Sequence, residues 1–174
     1  ITVNAFSKTD LDITNKKQIA LAMDEFKPNI IINAAANTNV DNAEKYPDKA
    51  FSINYHGAKN IGMASKDYNI PLIHVSTDFV FDGDKKDGYL ENDTKNPINS
   101  YGLSKDRGEE EIIGLASKFI IIITSWIFSE FGKNFLKTIY QNIKLGKKLK
   151  IVSDQVGCPT YAYDIAEFIF TLID

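Results

Sequence analysis

Residues 70–78 have the sequence IPLIHVSTD, an apolar run with the length of a buried strand that ends in two hydroxyl side chains and a carboxylate. Similar runs occur at 29–33 (NIIIN), 119–124 (FIIIIT) and 149–152 (LKIV). Strands that are apolar on both faces are typical of a parallel sheet covered by helices on each side. The sequence therefore predicts four strands of such a sheet.

Longer stretches with helical spacing separate these runs. They are predicted as helices at Thr14–Phe26, Asp48–Asp67, Ser100–Ala116, Asn134–Lys144 and from Tyr163 to the end. Thr14 is the predicted cap of the first helix, and Lys27-Pro28 ends it. The second helix is predicted to bury Ala50, Ile53, Ala58, Ile61 and Ala64. Strands alternating with helices predict an α/β, doubly wound, Rossmann-like fold.

The carboxyl ends of the predicted strands are the first place to search for a ligand site. Doubly wound sheets bind ligands there, and the segments concerned begin at Asn33, Ser76 and Ser125. Small side chains after Asn33 suit either an extended ligand or a packed strand end. The loop 82–99 has a length that is often functional.

Composition narrows the classes of function. The chain has 174 residues, 44% hydrophobic and 25% charged, with a net charge of −3, which is not the electrostatic pattern of a nucleic-acid-binding protein. No apolar run approaches the ~20 residues of a membrane span. The single cysteine, Cys158, excludes an intrachain disulfide framework and is compatible with a reducing, cytoplasmic location. His56 and His74 lack ligand-spaced neighbours, so we expect no metal site.

Tyr101 and Lys105 are four residues apart at the start of a predicted helix and therefore share one face. A tyrosine has a reference pKa of about 10 and is a poor acid–base group at neutral pH. A nearby lysine ammonium favours the phenolate, so we expect Lys105 to lower the pKa of Tyr101. A Y-x-x-x-K pair is common by chance, but it gains specificity here because it follows the Ser76-Thr77 strand end.

The motifs NAAANTNVDNAE, VSTDFVFDG, NPINSYGLSK, TSW and SDQVGCPT occur in this order. In combination they resemble the extended short-chain dehydrogenase/reductase superfamily and, within it, the dTDP-4-dehydrorhamnose reductase family. The resemblance runs through essentially the whole chain. It implies NAD(P)H-dependent reduction, with NADPH or NADH as cofactor, of the C4 keto group of a dTDP-linked 6-deoxyhexose to give dTDP-L-rhamnose. A homodimer is compatible with it.

The resemblance also implies roles for individual residues. Tyr101 would donate the proton, Lys105 would support Tyr101 and hold the cofactor ribose, and Thr77 would hydrogen-bond the substrate carbonyl. The implied cofactor contacts are Asp12, Ile13, Ala35, Ala36, Thr38, Tyr101 and Lys105. The implied substrate contacts are Ser76, Thr77, Asp78, Trp126, Asp154, Gln155 and Thr160. Trp126 is also compatible with a core position, and Asn54 with either active-site support or a structural role.

The sequence departs from the family pattern at both ends. The Gly-rich fingerprint that places backbone N–H groups on a pyrophosphate is absent, together with its strand. We therefore expect a partial cofactor domain at 1–152, the start of a substrate-binding region at 153–174, and no activity of this chain by itself.

Three other functions fit parts of the pattern less well. Dehydratases of the superfamily usually place Asp-Glu after the threonine, whereas Phe79 follows Asp78 here. Epimerases lack the Asp and the FVFDG sequence. A non-catalytic regulatory subunit that binds cofactor and a partner enzyme stays open, although Thr77, Tyr101 and Lys105 are all present.

Overall fold

The computed structural model describes residues 1–173. It divides the chain into two compact units, Ile1–Ile123 and a second that begins at Thr124. The boundary predicted at 152/153 separates cofactor-binding from substrate-binding roles, and it stays a prediction.

The first unit alternates helices and strands, as the sequence predicts. Its elements are α1 (Lys16–Phe26), β1 (Ile31–Asn33), α2 (Val40–Lys45), α3 (Pro47–Phe51), a π-helical segment (Ser52–Gly57), α4 (Ala58–Asp67), β2 (Leu72–Thr77), a 3₁₀ turn (Asp78–Val80) and α5 (Ser100–Leu115); β3 (Phe119–Thr124) ends at the boundary.

The sheet has the order β1-β2-β3, and β2 is its central strand. β1 and β2 are parallel, with Asn33 opposite His74. The predicted strands at 29–33, 70–75 and 119–124 are confirmed to within two residues at each end. Since β2 is central, the Ser76-Thr77 sequence reaches the middle of the carboxyl edge.

The core of the first unit lies where α1, α4 and α5 pack around β2. Its buried side chains include Ile19, Met23, Ala58, Ile61, Ala64, Leu72 and Ile112. Ala50 is also buried and Ile53 is half-buried, so the predicted inner face of the helix at 48–67 is confirmed.

Two local predictions need correction. The cap of α1 is Asn15, whose side chain accepts from the Lys17 and Gln18 amides, because the Thr14 hydroxyl is engaged by Asp12 at 2.8 Å. The helix predicted at 48–67 contains the π-helical segment 52–57. A short helix, α2, precedes it and contains Asp41 and Glu44, an acidic pair that the sequence indicates at a helix start.

The second unit contains β4 (Ile127–Phe128) and β5 (Thr160–Tyr161), which pair in parallel, with α6 (Phe135–Lys144) and α7 (Ala162–Ile173). Both predicted helices are confirmed. The strand predicted at Leu149–Val152 is wrong: these residues form no strand, and Ile151 and Val152 are exposed by 51% and 61%, without the neighbouring strand that an apolar run needs. In the described part of the chain, no helix combines the length and apolar character of a membrane span.

Candidate active site

The carboxyl end of β2 places Thr77 at the centre of the sheet edge. Thr77 is 7% exposed, and its hydroxyl accepts a hydrogen bond from the Phe79 amide at 3.3 Å, which starts the 3₁₀ turn. The Thr77 hydroxyl also acts to lower the pKa of Tyr101, which places these two side chains beside each other. The structure thus brings together two of the three residues predicted to be catalytic.

The first turn of α5 presents Tyr101 to this strand end. Asn99 caps the helix by accepting from the Gly102 amide at 2.8 Å, and the Glu44 carboxylate accepts from the Ser100 amide at 2.5 Å. The Tyr101 ring packs edge-on against Phe79, with centroids 5.6 Å apart. Two polar side chains and an aromatic contact therefore fix the start of the helix.

Burial raises the pKa of Tyr101 above its ordinary value; the Thr77 hydrogen bond partly opposes this rise, and the Asp78 carboxylate adds to it. The expected lowering by Lys105 is therefore wrong for this arrangement. The Lys105 amine donates to the Val75 carbonyl oxygen at 2.8 Å and lies 3.3 Å from His74 Nε2. Because this amine is engaged with β2, its charge does not govern the phenol, and Tyr101 keeps its proton at neutral pH.

The pKa of Lys105 is also shifted. Its side chain is 2% exposed, and burial lowers the pKa of Lys105 to about 8, against the opposing effect of the Glu109 carboxylate. The structure thus places an amine at the sheet edge that changes charge close to physiological pH, a common property of functional lysines.

This pKa predicts a pH dependence of stability. Since the folded-state pKa of Lys105 lies below the unfolded value, the unfolded chain binds more protons between the two values. At low pH the folded chain is less stable because its buried Lys105 carries a charge. This loss of stability disappears as the pH rises above about 8, where the buried amine gives up its proton. We expect the free energy of unfolding, relative to a Lys105→Met variant, to rise by about 2 kcal/mol between about pH 7 and pH 9.5. Urea unfolding of both proteins at each pH checks this, and parallel curves would contradict it.

A buried carboxylate that sequence reasoning missed lies on the same helix. Glu109 is 1% exposed, accepts a hydrogen bond from the Ser76 hydroxyl, and pairs with Lys95 from the long loop. Lys95 also lies 3.7 Å from Asp106. The loop 82–99 is thereby attached to α5, and the contact of Ser76 with Glu109 is a structural one. The only indication of Glu109 in the sequence was its position, one helical turn after Lys105.

Asn54 connects the loop after β1 to α5. It is 1% exposed. Its side-chain Oδ1 accepts from the Asn37 backbone amide at 2.7 Å, and its side-chain Nδ2 donates to the Asn37 backbone carbonyl oxygen at 3.0 Å and to Ser104 Oγ at 2.9 Å. Ser104 Oγ in turn donates to the Tyr101 carbonyl oxygen at 2.7 Å. Asn54 therefore supports the site by holding the Tyr101 helix and the loop after β1 together. Ser104 was also missed.

Replacing Asn54 with alanine is expected to lower the free energy of unfolding by about 2 kcal/mol, because it leaves buried backbone and hydroxyl groups without partners. Chemical denaturation of this chain measures the change. Asn42→Ala is the matched control: Asn42 is exposed on α2, so its loss is expected to stay within about 0.5 kcal/mol. Equal losses would show that Asn54 has no special supporting role.

The residues predicted to lie along the cofactor fall into two places. Ala35 and Thr38 are exposed and Ala36 is half-buried, directly after the buried Asn33 of β1. Asp12 accepts from the Thr14 amide at 2.9 Å, which lowers the pKa of the Asp12 carboxyl. Ile13 is 9% exposed and packs so closely on Gly57 that a Cβ there would lie 2.6 Å from Ile13 Cδ1. Ile13 is thus a core residue, and its contact with a cofactor stays a prediction.

The remaining predicted substrate contacts belong to the second unit. Trp126 is half-buried with a positive φ of 45°, and its ring lies 5.4 Å from that of Phe135. A Cβ at Gly157 would lie 2.8 Å from the indole, so the backbone at Gly157 packs directly against Trp126. Asp154 and Gln155, by contrast, are exposed and Thr160 is half-buried. Their roles stay predictions.

Within residues 1–173, no cluster of three or more His, Cys, Asp or Glu side chains has an arrangement that could hold a metal ion. The polar groups gathered at the sheet edge are instead hydroxyls, an amine and amides. A buried Tyr–Thr pair beside a buried lysine can donate to an oxygen atom on which negative charge develops. The fold and the site define a Rossmann-like domain of the Tyr–Lys type.

Comparison with known proteins agrees with this class. The family model described as the RmlD substrate binding domain matches residues 1–174, and the chain belongs to this family. It is 44% identical to a dTDP-4-dehydrorhamnose reductase of Aggregatibacter actinomycetemcomitans over 172 residues, which is 99% of this chain and 58% of the relative.

Solved structures give the same result. The chain is similar to a dTDP-4-dehydrorhamnose reductase of Bacillus anthracis in complex with NADP, with 43% identity and a TM-score of 0.93 over 97% of this chain and 60% of the other. A Clostridium acetobutylicum dTDP-4-dehydrorhamnose reductase has 40% identity and a TM-score of 0.91 over the same shares. The chain therefore spans about 60% of the length of these three relatives.

Proposed function

We propose that this chain is the main part of an NAD(P)H-dependent reductase that converts the C4 keto group of a dTDP-linked 6-deoxy-4-ketohexose to a hydroxyl, giving dTDP-L-rhamnose. The observation that carries the proposal is the buried Tyr101 side chain, which packs on Phe79 and lies beside Thr77 at the carboxyl end of the central strand. The names of the similar reductases support the same substrate class.

The proton chemistry follows from the pKa of Tyr101. Because burial raises this pKa, Tyr101 carries its proton at neutral pH and is a hydrogen-bond donor. We assign Thr77 and Tyr101 as the two donors to the substrate C4 oxygen. As hydride is added to C4, the Tyr101 proton passes to this oxygen, which becomes the new hydroxyl. Lys105, one turn further along α5, is assigned to return a proton to the phenolate.

A nicotinamide cofactor supplies the hydride when bound. The residues available to hold it fit an extended ligand: the exposed Ala35 methyl and the Ala36-to-Thr38 backbone present little side-chain bulk beside the buried strand end. Lys105, Tyr101, Asp12 and Ile13 complete the assigned set. The NADP in the Bacillus anthracis structure supports NADPH, and NADH is the alternative to be compared.

The substrate contacts are assigned to Ser76, Asp78, Trp126, Asp154, Gln155 and Thr160, with residues 1–152 serving the cofactor and 153–174 beginning the substrate region. The reaction is proposed to take place in the cytoplasm, with which the free Cys158 is compatible.

The test follows the loss of reduced-nicotinamide absorbance on adding dTDP-4-keto-6-deoxyhexose, with NADPH and NADH in parallel. Because this chain spans about 60% of its relatives, the assay uses the full-length gene product beside this chain. Turnover by the full-length protein supports the proposal. Binding of cofactor without oxidation, together with capture of a stable partner enzyme, would favour the regulatory function instead.

A further inference from the structure

A line of three buried polar side chains runs from β1 through β2 to α5. Asn33 Nδ2 lies 3.1 Å from His74 Nδ1, and His74 Nε2 lies 3.3 Å from Lys105 Nζ. The three residues are exposed by 4%, 1% and 2%. Each imidazole nitrogen of His74 therefore lies within hydrogen-bond distance of one nitrogen atom, from Asn33 on one side and from Lys105 on the other, away from solvent.

The backbone of Ala35 decides which way the Asn33 amide points. An amide oxygen and nitrogen can exchange places in a structure, so the surrounding donors must assign them. The Ala35 N–H donates to Asn33 Oδ1 at 3.2 Å. If the amide were turned around, its NH₂ group would face this N–H, donor against donor. Asn33 Nδ2 therefore points to His74, and it can only donate.

The amide orientation in turn decides the position of the His74 proton. Because Nδ1 accepts from Asn33, a neutral imidazole must carry its proton on Nε2. Burial holds the pKa of His74 well below its usual range, and a charged Lys105 lowers this pKa further, so the ring is neutral in either charge state of Lys105. The Nε2–H then points at Lys105 Nζ, which can accept this hydrogen bond only as an uncharged amine with a free lone pair.

We propose that Asn33 and His74 are positioning residues for Lys105: Asn33 holds the His74 proton on Nε2, and this N–H favours the uncharged amine of Lys105. Charging Lys105 requires the His74 proton to move to Nδ1, with loss of the Asn33 hydrogen bond. The other titratable groups around the amine are Tyr101 and Glu109, one turn to either side on α5, and Lys95 paired with Glu109.

The consequence for catalysis rests on the proposed function. Below about pH 8 Lys105 carries the proton that it would return to the Tyr101 phenolate, and above this pH the uncharged amine has none to give. The identity of the residue at position 33, on another strand, thus sets the pH at which Lys105 becomes a proton donor to the site.

The first test needs no turnover. The chain has two histidines, and His56 is exposed, so ¹⁵N NMR of histidine-labelled protein gives one buried ring and one internal reference. Above the transition of Lys105, near pH 8, we expect His74 Nδ1 to be unprotonated and Nε2 to carry the proton. A proton on Nδ1 throughout the pH range would overturn the proposal.

The second test changes Asn33 without adding charge. In Asn33→Leu the preference for Nε2–H is lost, and we expect the titration midpoint of Lys105, followed through its ¹⁵Nζ or ¹³Cε signal, to rise by about one unit. Asn60→Leu is the matched control, since Asn60 is also buried but donates to the Ile13 and Thr14 carbonyl oxygens. An equal midpoint in both variants would contradict the proposal.

Asn33→Asp covers the case in which the leucine variant does not fold. Its carboxylate is isosteric with the amide and only accepts, so we expect the His74 proton to move to Nδ1; retention on Nε2 would overturn the proposal.

In the full-length protein, the kcat–pH profile of Asn33→Leu is expected to shift upward with the Lys105 midpoint. If His74 shows the expected tautomers but the full-length protein has no turnover, the proposed function alone is refuted. If turnover depends on Tyr101 but His74 carries its proton on Nδ1, this inference alone is refuted.

Discussion

Tyr101→Phe is expected to reduce turnover of the full-length protein by about 10²-fold or more, the typical contribution of a general acid. The change removes one oxygen atom and keeps the ring that packs on Phe79. The substrate oxygen would then lose its proton donor and retain Thr77 alone. The measurement is kcat from the loss of reduced-nicotinamide absorbance, together with the dissociation constant of the cofactor, which is expected to change little.

The matched control is Tyr68→Phe. Tyr68 also loses a hydroxyl contact, a 2.8 Å hydrogen bond to Asp24, but it lies just after α4, at the opposite edge of the sheet from Thr77. We expect its kcat to stay close to that of the unmodified protein. Full turnover by Tyr101→Phe, or an equal loss in both variants, would refute the role of Tyr101.

Gly108→Ala is expected to lower the free energy of unfolding by about 3 kcal/mol, the upper part of the range for overpacking. A Cβ at Gly108 would lie 2.1 Å from the Asn54 carbonyl oxygen and 3.1 Å from Ala58 Cβ. The clash involves the backbone of a neighbouring helical segment, which has no rotamer to change. α5 would have to move away, and the hydrogen bond between Asn54 and Ser104 that supports the Tyr101 helix would lengthen.

Gly114→Ala is the control on the same helix. Nothing lies within 4 Å of a Cβ at Gly114, so the higher helix propensity of alanine is expected to increase stability by about 0.5 to 1 kcal/mol. Urea unfolding of both variants measures the two changes. Effects of the same sign and size would show that the close approach of α5 at Gly108 does not matter.

Local patterns in the sequence are sufficient to predict much of the fold and the helix face that carries the site. Apolar runs bounded by helical spacing predict β1, β2 and β3. Of these strands only β2 is buried on both faces, whereas Phe119 and Ile123 of β3 are exposed by 39% and 37%. The four-residue spacing of Tyr101 and Lys105 places both on one side of α5, since helical periodicity is also a local property. The motifs around these two residues are sufficient to indicate the family.

The contacts of these residues depend on tertiary packing. Whether LKIV at 149–152 becomes a strand depends on a neighbouring strand, and the described structure provides none. The partners of Lys105 are His74 and the Val75 carbonyl, and the pKa of Tyr101 rises, because burial and hydrogen bonds across β2 and α5 outweigh the spacing along one helix. Contacts between distant segments leave no periodic trace in the chain, so only the packed structure sets the direction of such pKa shifts.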